Sequence, residues 1–403
     1  PRPLSTCTCR SLARSSVHRC PLPLSARMRW IKPPVYDTRL IRSIIGVECT
    51  FDNASVSTLN TSTAIATHPN TFTFSPARQA QLGGLKPSEA PPYLYQFISQ
   101  QLPATLESVR GGGGVAIALS VQPGLHGSIS AGVAAVRDVL HASGCAHTVA
   151  IVGVDHAIAH ALSPRGAHAS LSYPYDVLVL SGGTSSLFNV RGPRDVSVLA
   201  ATRDDALGEA MDKVGRLLGA PVWELAPHAT NPVAFTAPLS KSSPRKRAAA
   251  LASPFFTFSG LKTQVARAVR WQWTDSPEAK DVTHARNVAA GFQTAAFDHV
   301  RVQTARARRL AGTHRLPLAL AGGCALGSAL RGAFPSAFAA APAWCPDNGA
   351  MIAWAAFEGA TVPFPPYLEH VNADRWKERL AAHDTATQTQ GTTQKLSTQE
   401  DIP

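Results

Sequence analysis

Short apolar segments alternate with helical patterns along most of this chain, and this alternation restricts the fold more than any other feature of the sequence. Runs rich in β-branched and apolar residues predict strands at 41–47, 115–120, 147–154, 177–180 and 317–321. Apolar residues at helical spacing predict helices at 130–141, 204–218 and 287–310. The alternation indicates an α/β protein in which helices cover central sheets.

Length and composition together predict two lobes and no membrane segment. A chain of 403 residues is longer than one ordinary domain, since single hydrophobic cores rarely grow beyond roughly 250–300 residues. Hydrophobic residues form 45% of the chain, which is enough for a core in each lobe. No run approaches the roughly 18 uninterrupted apolar residues that a membrane-spanning helix needs. We therefore expect no membrane partner.

Basic residues are concentrated at the N-terminus. Residues 1–36 contain seven Lys and Arg, repeated Ser and no Asp or Glu, so they account for seven of the net +12 charges. A basic, acid-free segment without a long apolar run is typical of a mitochondrial transit peptide. We expect residues 1–36 to be such a leader and the protein to act in the mitochondrial matrix. An untranslated stretch or an error in the gene model is the alternative.

Two polar segments are predicted to lie outside the packed lobes. Residues 241–247 (KSSPRKR) are polar and basic, which is typical of an exposed loop between lobes. Residues 381–403 contain almost no large apolar side chains. Such a composition cannot bury enough apolar surface to fold, so we expect a disordered tail.

Glycine turns follow three of the predicted strands, at 122–127, 181–184 and 321–324. Glycine in such a turn lets the backbone approach a phosphate closely, with successive amides directed at it. None of the three matches GxxxxGK[ST] or GxGxxG, which excludes an ordinary P-loop or Rossmann site. Three such turns in one α/β chain favour a cleft for a nucleotide or an acyl phosphate. For any single turn, plain turn chemistry is the alternative.

Two histidines, His156 and His160, follow the predicted strand at 147–154. On a helix, residues at i and i+4 share a face, so both imidazoles can bind one metal ion. The metalloprotease pattern HExxH requires Glu at position 157, where this chain has Ala157. A buried histidine pair without a metal is the alternative. Asp347 is a candidate third ligand, although it can equally cap a helix predicted at 348–359.

Ten sequence blocks extend over residues 41 to about 360 and include IIGVECTFDNASVS, VDHAIAHALSPRG, LVLSGGTSSL and CPDNGAMIAW. In their order, these blocks resemble the TsaD/Kae/Qri family of tRNA threonylcarbamoyladenosine synthases. The basic leader is similar to that of the mitochondrial branch. The remaining blocks lie at 83–90, 122–132, 204–219, 256–265, 289–300 and 320–331.

The resemblance implies an ASKHA fold, in which two actin-like lobes with mixed central sheets face a nucleotide and metal cleft. The expected first lobe is 37–155, with a C-terminal helix at 346–380 packing back on it. The expected second lobe is 156–345.

The resemblance also implies a reaction. The threonylcarbamoyl group of threonylcarbamoyl-adenylate is transferred to the exocyclic amine of the adenosine 3′ of the anticodon, in mitochondrial tRNAs that read ANN codons. Implied partners are tRNA, a second copy of the chain in a homodimer, and a separate synthase that supplies the adenylate. The basic loop 241–247 is expected to contact tRNA. Arg301, Arg306, Arg308 and Arg309 along the helix predicted at 287–310 are further candidates, for which a solvated helix face is the alternative.

Site residues are implied by position. His156, His160 and Asp347 match the family's catalytic metal ligands, which hold one divalent ion, iron or zinc, in each subunit. Ser181, Gly182, Gly183 and Thr184 match the segment that holds the adenylate, and Asp212 matches the residue that hydrogen-bonds its ribose. The glycines implied on the nucleotide side of the cleft are Gly322, Gly323 and Gly327.

The chain also departs from the family pattern, mainly on the nucleotide side. SGGHTQ is SGGTSS here, a glycine pair is replaced by APVWEL at 220–225, and an Asn is replaced by Gly327. The opening ETSCDD is ECTFDN, and Leu94 stands where the family has His. Two alternatives to the transferase are therefore a catalytically weakened ASKHA scaffold and an ATPase-like nucleotide-binding protein.

Overall fold

The computed structural model describes residues 40–67, 70–74, 89–145, 148–239, 252–270 and 281–368. The predicted leader 1–36, the basic loop 241–247 and the tail 381–403 lie outside the described residues. None of the helices within these ranges combines the length and the apolarity that a membrane crossing requires.

The described residues form twelve strands and nine α-helices. The strands are β1 (Ile41–Glu48), β2 (Ala54–Asn60), β3 (Ile65–Ala66), β4 (Asn70–Phe72), β5 (Gly114–Gln122), β6 (Ala150–Asp155), β7 (Tyr175–Leu180), β8 (Ser185–Gly192), β9 (Asp195–Ala201), β10 (Leu318–Ala321), β11 (Phe338–Ala339) and β12 (Thr361–Val362). The helices are α1 (Ala90–Val109), α2 (His126–Ala142), α3 (His156–Ala167), α4 (Leu207–Leu218), α5 (Val222–Leu225), α6 (Ser259–Arg270), α7 (Val282–Leu310), α8 (Ser328–Ala333) and α9 (Gly349–Phe357).

The strands form two sheets with the same arrangement. The order in the first sheet is β12-β6-β5-β1-β2-β3, with β4 also paired to β2, and the order in the second is β11-β10-β7-β8-β9. β1 and β7 hold equivalent places. Each pairs antiparallel with the strand that follows it and parallel with a later strand, β5 or β10. The repeated arrangement, which is not visible as a repeat in the sequence, confirms the predicted ASKHA fold.

Helices α3 and α9 lie between the two sheets. One buried cluster joins Ile44 of the first sheet and Val179 of the second to Leu162 of α3 and Met351 of α9. Two further clusters lie on the outer faces, where α1 and α2 cover the first sheet and α4, α6 and α7 cover the second. The packing therefore fixes α3 and α9 side by side, with residues from both sheets around them.

All five predicted strands are present with shifted ends, and so are the helices predicted at 130–141, 204–218, 287–310 and 348–359. The strand predicted at 147–154 begins only at Ala150. Helix α1 and the antiparallel strands β8 and β9 are not predicted by the sequence patterns. α1 has Pro91 and Pro92 in its first turn, where proline is tolerated because the amides of that turn have no intrahelical partner.

The predicted C-terminal helix at 346–380 is too long. Helix α9 ends at Phe357, and Gly359, with a φ of 85°, allows the chain to turn there. The next segment, β12, pairs antiparallel with β6 in the first sheet. The predicted lobe limits, 37–155 and 156–345, stay a prediction.

The backbone of α9 touches the backbone of β1. A Cβ added to Gly46 of β1 would lie 1.9 Å from the carbonyl oxygen of Gly349, and a Cβ added to Gly349 would lie 2.4 Å from the carbonyl oxygen of Gly46. The Gly349 amide also donates to Ser55 Oγ at 3.1 Å. Only glycine at both positions permits this approach. The close contact fixes the position of the residues directly before α9.

We expect Gly349→Ala to lower the free energy of unfolding by about 1–3 kcal/mol, the usual cost of forcing an extra methyl group into a packed site. Urea denaturation measures the change. Gly332→Ala is the matched control, since a Cβ there meets nothing within 4 Å and alanine is the better helix former. A Gly349→Ala protein as stable as the wild type would contradict the close contact between α9 and β1.

Candidate active site

The N-terminus of α3 places the two histidines. Asp155, the last residue of β6, caps the helix: its Oδ1 accepts from the amides of Ala157 at 2.9 Å and Ile158 at 3.1 Å. The helix therefore begins at His156, and His160 follows one turn later on the same face. The ring centroids of the two histidines are 4.7 Å apart, and both side chains are buried.

Asp347 joins the histidines from the N-terminus of α9. Its Oδ1 lies 2.8 Å from His160 Nε2 and 3.6 Å from His156 Nε2. Asn348 caps α9, because its side chain accepts from the Met351 amide at 2.9 Å. The alternative in which Asp347 is the helix cap is therefore wrong, and its carboxylate faces the histidines instead.

Two carboxylates act on the histidine pair. Burial acts to lower the pKa of His156, but the charge and hydrogen bond of Glu48, together with the charge of Asp347, outweigh burial and raise that pKa to about 9. Burial acts to raise the pKa of Asp347, but the hydrogen bond from His160 and the charges of both histidines hold it below its usual range. The cluster therefore favours a positive charge between the carboxylates.

The donor set fits a divalent cation. The nearest ligand atoms of His156, His160 and Asp347 all lie within 4.8 Å of one another. Imidazole nitrogens combined with one carboxylate suit zinc and iron. Three protein ligands leave coordination positions open for other oxygens. A bound cation would take the place that the proton of His156 takes in the metal-free protein.

Asp347 also lines a cleft of about 500 Å³ between the two sheets. The cleft brings together most of the predicted site residues, which the sequence separates by up to about 170 positions. The predicted site residues that do not line it are His156, His160, Thr184, Gly322 and Gly327. The lining residues are Phe51, Asp52, Asn53, Ala90, Leu125, Ser181, Gly182, Gly183, Asp212, Gly323, Pro346 and Asp347.

The glycine turn at 181–184 forms the wall of the cleft on the side of the second sheet. The Ser181 amide donates to the Thr184 carbonyl at 2.7 Å, and the Thr184 amide donates to Ser181 Oγ at 3.0 Å, so Thr184 closes the turn. A Cβ added to Gly182 would meet nothing within 4 Å, which leaves its backbone open to the cleft. Gly208 of α4 packs directly on the turn, since its amide donates to the Ser181 carbonyl at 3.2 Å.

Asp212 enters the cleft from α4, one turn after Gly208. Burial raises the pKa of Asp212. Gly322 shapes the neighbouring turn, because its φ is 85° and an added Cβ would lie 2.3 Å from the Leu180 carbonyl oxygen. Gly327 has a φ of −66° and stands at the N-cap of α8 without a side-chain cap. Of the predicted glycines on this side, Gly323 lines the cleft and Gly322 supports it.

The turn between β1 and β2 contributes residues that the sequence analysis does not assign to the site. The ring of Phe51 is edge-on to His156, with centroids 5.7 Å apart. A Cβ added to Gly183 would lie 3.4 Å from Phe51 Cζ, so the same ring reaches the glycine turn of the second sheet. The Leu125 amide holds this turn by donating to the Thr50 carbonyl at 2.7 Å. The signal that could have identified this turn is the group of polar residues that follows the strand predicted at 41–47.

One predicted tRNA contact has a different role in the structure. Arg308 Nε donates to Asp176 Oδ2 at 2.7 Å, and Asp176 is fully buried. Arg308 therefore stabilises the second sheet and is not a free surface cation. Arg301 is exposed and pairs with Asp298 on its own helix at 3.2 Å.

The sequence model of the family described as "TsaD: tRNA N6-adenosine threonylcarbamoyltransferase" matches residues 73–354. The chain belongs to this family. The transferase of that name from Sphingopyxis alaskensis is 36% identical over 270 residues, which are 65% of this chain and 74% of the relative. The transferase from Erythrobacter litoralis is 32% identical over 83% of this chain and 95% of its own length. The chain is therefore an enzyme of the transferase class, and the predicted family is confirmed.

For this family member we expect Asp155→Ala to lower the free energy of unfolding by about 1 kcal/mol, because two amides of the first turn of α3 lose their acceptor. Urea denaturation measures the loss. Asp155→Asn is the matched control, since asparagine caps helices about as well as aspartate. Equal stabilities of the Ala and Asn variants would show that the cap does not hold α3.

Proposed function

We propose that the protein transfers the threonylcarbamoyl group of threonylcarbamoyl-adenylate to the exocyclic amine of the adenosine 3′ of the anticodon in tRNA. A C–N bond forms at the carbamoyl carbon, the bond from that carbon to the phosphate oxygen of the adenylate breaks, the amine loses a proton and AMP leaves. One observation carries this proposal: Asp347 of the His–His–Asp cluster and the glycine turn at 181–183 face the same cleft.

The turn at 181–184 and Asp212 are proposed to hold the adenylate. The first amides of α4 already have partners, because Leu207 donates to Ser185 Oγ and Gly208 donates to the Ser181 carbonyl. Among the hydrogen bonds of the described residues, none uses the amide of Gly182 or Gly183. These two amides can donate to phosphate oxygens, while the Asp212 carboxylate accepts from ribose hydroxyls.

His156, His160 and Asp347 are proposed to hold one divalent ion, iron or zinc. When bound, such an ion polarises an oxygen of the acyl or phosphate group as a Lewis acid. The protein's own residues orient the donor across the cleft. The turn at 181–183 fixes the phosphate on one wall, Asp347 lies at the other, and Phe51 between them restricts access of water to His156.

The transferase is favoured over a scaffold or an ATPase-like protein by the residues that remain at the cleft. The ligand triad is complete, and the glycine turn is open to the cleft. Gly327, the substitution that most favours a weakened scaffold, removes one amide side chain and leaves the triad and the glycine turn unchanged.

The partners and location are part of the same proposal. The tRNA surface would include the basic loop 241–247, outside the described residues, together with Arg301, Arg306 and Arg309 of α7. A separate synthase would supply the adenylate, and two copies of the chain would form a homodimer. The composition of residues 1–36 supports the mitochondrial matrix as the place of action and mitochondrial tRNAs that read ANN codons as substrates.

We expect His156→Ala and His160→Ala each to abolish tRNA modification and most metal binding while the protein remains folded, because each removes one of three ligands. Metal content after dialysis, circular dichroism and threonylcarbamoyladenosine content of tRNA are the three measurements. His141→Ala, at an exposed histidine in the last turn of α2, is the control. Full metal content and activity in the double variant would overturn the metal site.

We expect Gly327→Asn to tighten binding of a non-hydrolysable adenylate analogue by about 2- to 13-fold, the value of one neutral hydrogen bond of about 0.5–1.5 kcal/mol. The backbone permits the change, since φ is −66° and the nearest atom to an added Cβ is 3.4 Å away. Calorimetry measures affinity. A small gain in stability with no gain in affinity would mean that the side chain caps α8 and does not reach the adenylate.

A further inference from the structure

Glu48 lies directly behind His156, on the side away from Asp347. It is the last residue of β1, and its side chain is completely buried. Glu48 Oε2 lies 3.1 Å from His156 Nδ1. Glu48 Oε1 accepts from the amide of Thr50 at 2.8 Å and from the hydroxyl of the same residue. The carboxylate is thus held by two donors and contacts one imidazole nitrogen.

The hydrogen bonds indicate that Nδ1 of His156 carries a proton in the neutral as well as in the charged ring. An ionised carboxylate only accepts, so Nδ1 must donate to Glu48. Thr50 Oγ1, 3.2 Å from the same nitrogen, uses its own proton for Glu48 and can only accept from Nδ1 as well. A neutral imidazole protonated on Nδ1 has its lone pair on Nε2, the atom that faces Asp347.

His160 lacks an equivalent partner. Its Nδ1 is buried and has no hydrogen-bond partner among the described residues. The carboxylate of Asp347 is approached from behind by Asn53, whose Nδ2 lies 3.5 Å from Asp347 Oδ2. The turn between β1 and β2 therefore contacts His156 and Asp347 but leaves His160 unsupported.

We propose that Glu48, held by Thr50, is the positioning residue that presents His156 Nε2 as a metal ligand. The inference rests on the proposed function, since it requires that His156 binds a metal. Carboxylates that accept from the second nitrogen of a ligating histidine fix its tautomer and orientation, and their loss typically weakens metal binding by about 10- to 100-fold.

Glu48→Gln tests the inference because the amide has only one acceptor. The two donors of Thr50 require the glutamine oxygen, so the NH₂ group would face His156 Nδ1. That nitrogen must then accept, and the proton moves to Nε2, where it blocks the ligand position. We expect the Zn²⁺ affinity of the full-length protein, measured by chelator competition, to fall about 10- to 100-fold with an unchanged circular dichroism spectrum.

Glu358→Gln is the matched control. Glu358 is also largely buried and pairs with Arg165 at 2.8 Å, outside the cleft. We expect its Zn²⁺ affinity to equal that of the wild type. Thr50→Val is the second variant in case Glu48→Gln does not fold, because it removes the hydroxyl donor and keeps the amide. We expect it to weaken Zn²⁺ binding several-fold.

Long-range ¹H–¹⁵N spectra of the Zn²⁺-loaded wild type test the tautomer without any substitution. The expected result is a proton on His156 Nδ1 and none on Nε2. A bare Nδ1, or a Glu48→Gln protein that binds Zn²⁺ within twofold of the wild type, would overturn the role of Glu48. Unchanged Zn²⁺ binding by His156→Ala would overturn both this inference and the proposed metal site. Loss in His156→Ala with none in Glu48→Gln would overturn this inference alone.

Discussion

The close contact between Gly46 and Gly349 is the constraint on which the site depends. Without it, helix α9 could not approach β1 closely enough to bring Asp347 to the N-terminus of α3. Any side chain at either glycine would push the two backbones apart. His156, His160 and Asp347 come from two distant parts of the chain. Their arrangement thus depends on two glycines that are not part of the cluster.

The equivalent places of β1 and β7 explain how the cleft acquires two different walls. In each sheet the chain leaves the equivalent strand, makes a turn and returns in the antiparallel neighbour. The turn after β1 carries Phe51 and Asn53, and the turn after β7 carries Gly182 and Gly183. One structural plan therefore places a turn with large side chains on one wall of the cleft and a glycine turn with open backbone on the other.

The sequence predicts the parts of the site whose residues lie close together in the chain. The histidine pair follows from the helical repeat, and the turn at 181–184 follows from glycines after an apolar run. The role of Asp347 stayed open, because a carboxylate before a helix can cap it, and only the hydrogen bond of Asn348 decides the matter. Glu48 is more than 100 positions from His156, and no periodicity links residues so far apart. Helix α1 was missed because the pair Pro91–Pro92 is typical of a loop as well as of a helix start.

The packing of α3 and α9 has a consequence for movement of the two sheets. α9 contacts strands of the first sheet and helix α3, and α3 contacts strands of both sheets. The two helices therefore connect the sheets through one continuous buried cluster. A rotation of one sheet against the other would have to break contacts in this cluster. The distance between the histidines and Asp347 thus depends on the same packing that joins the sheets, so the site and the interior of the molecule resist deformation together.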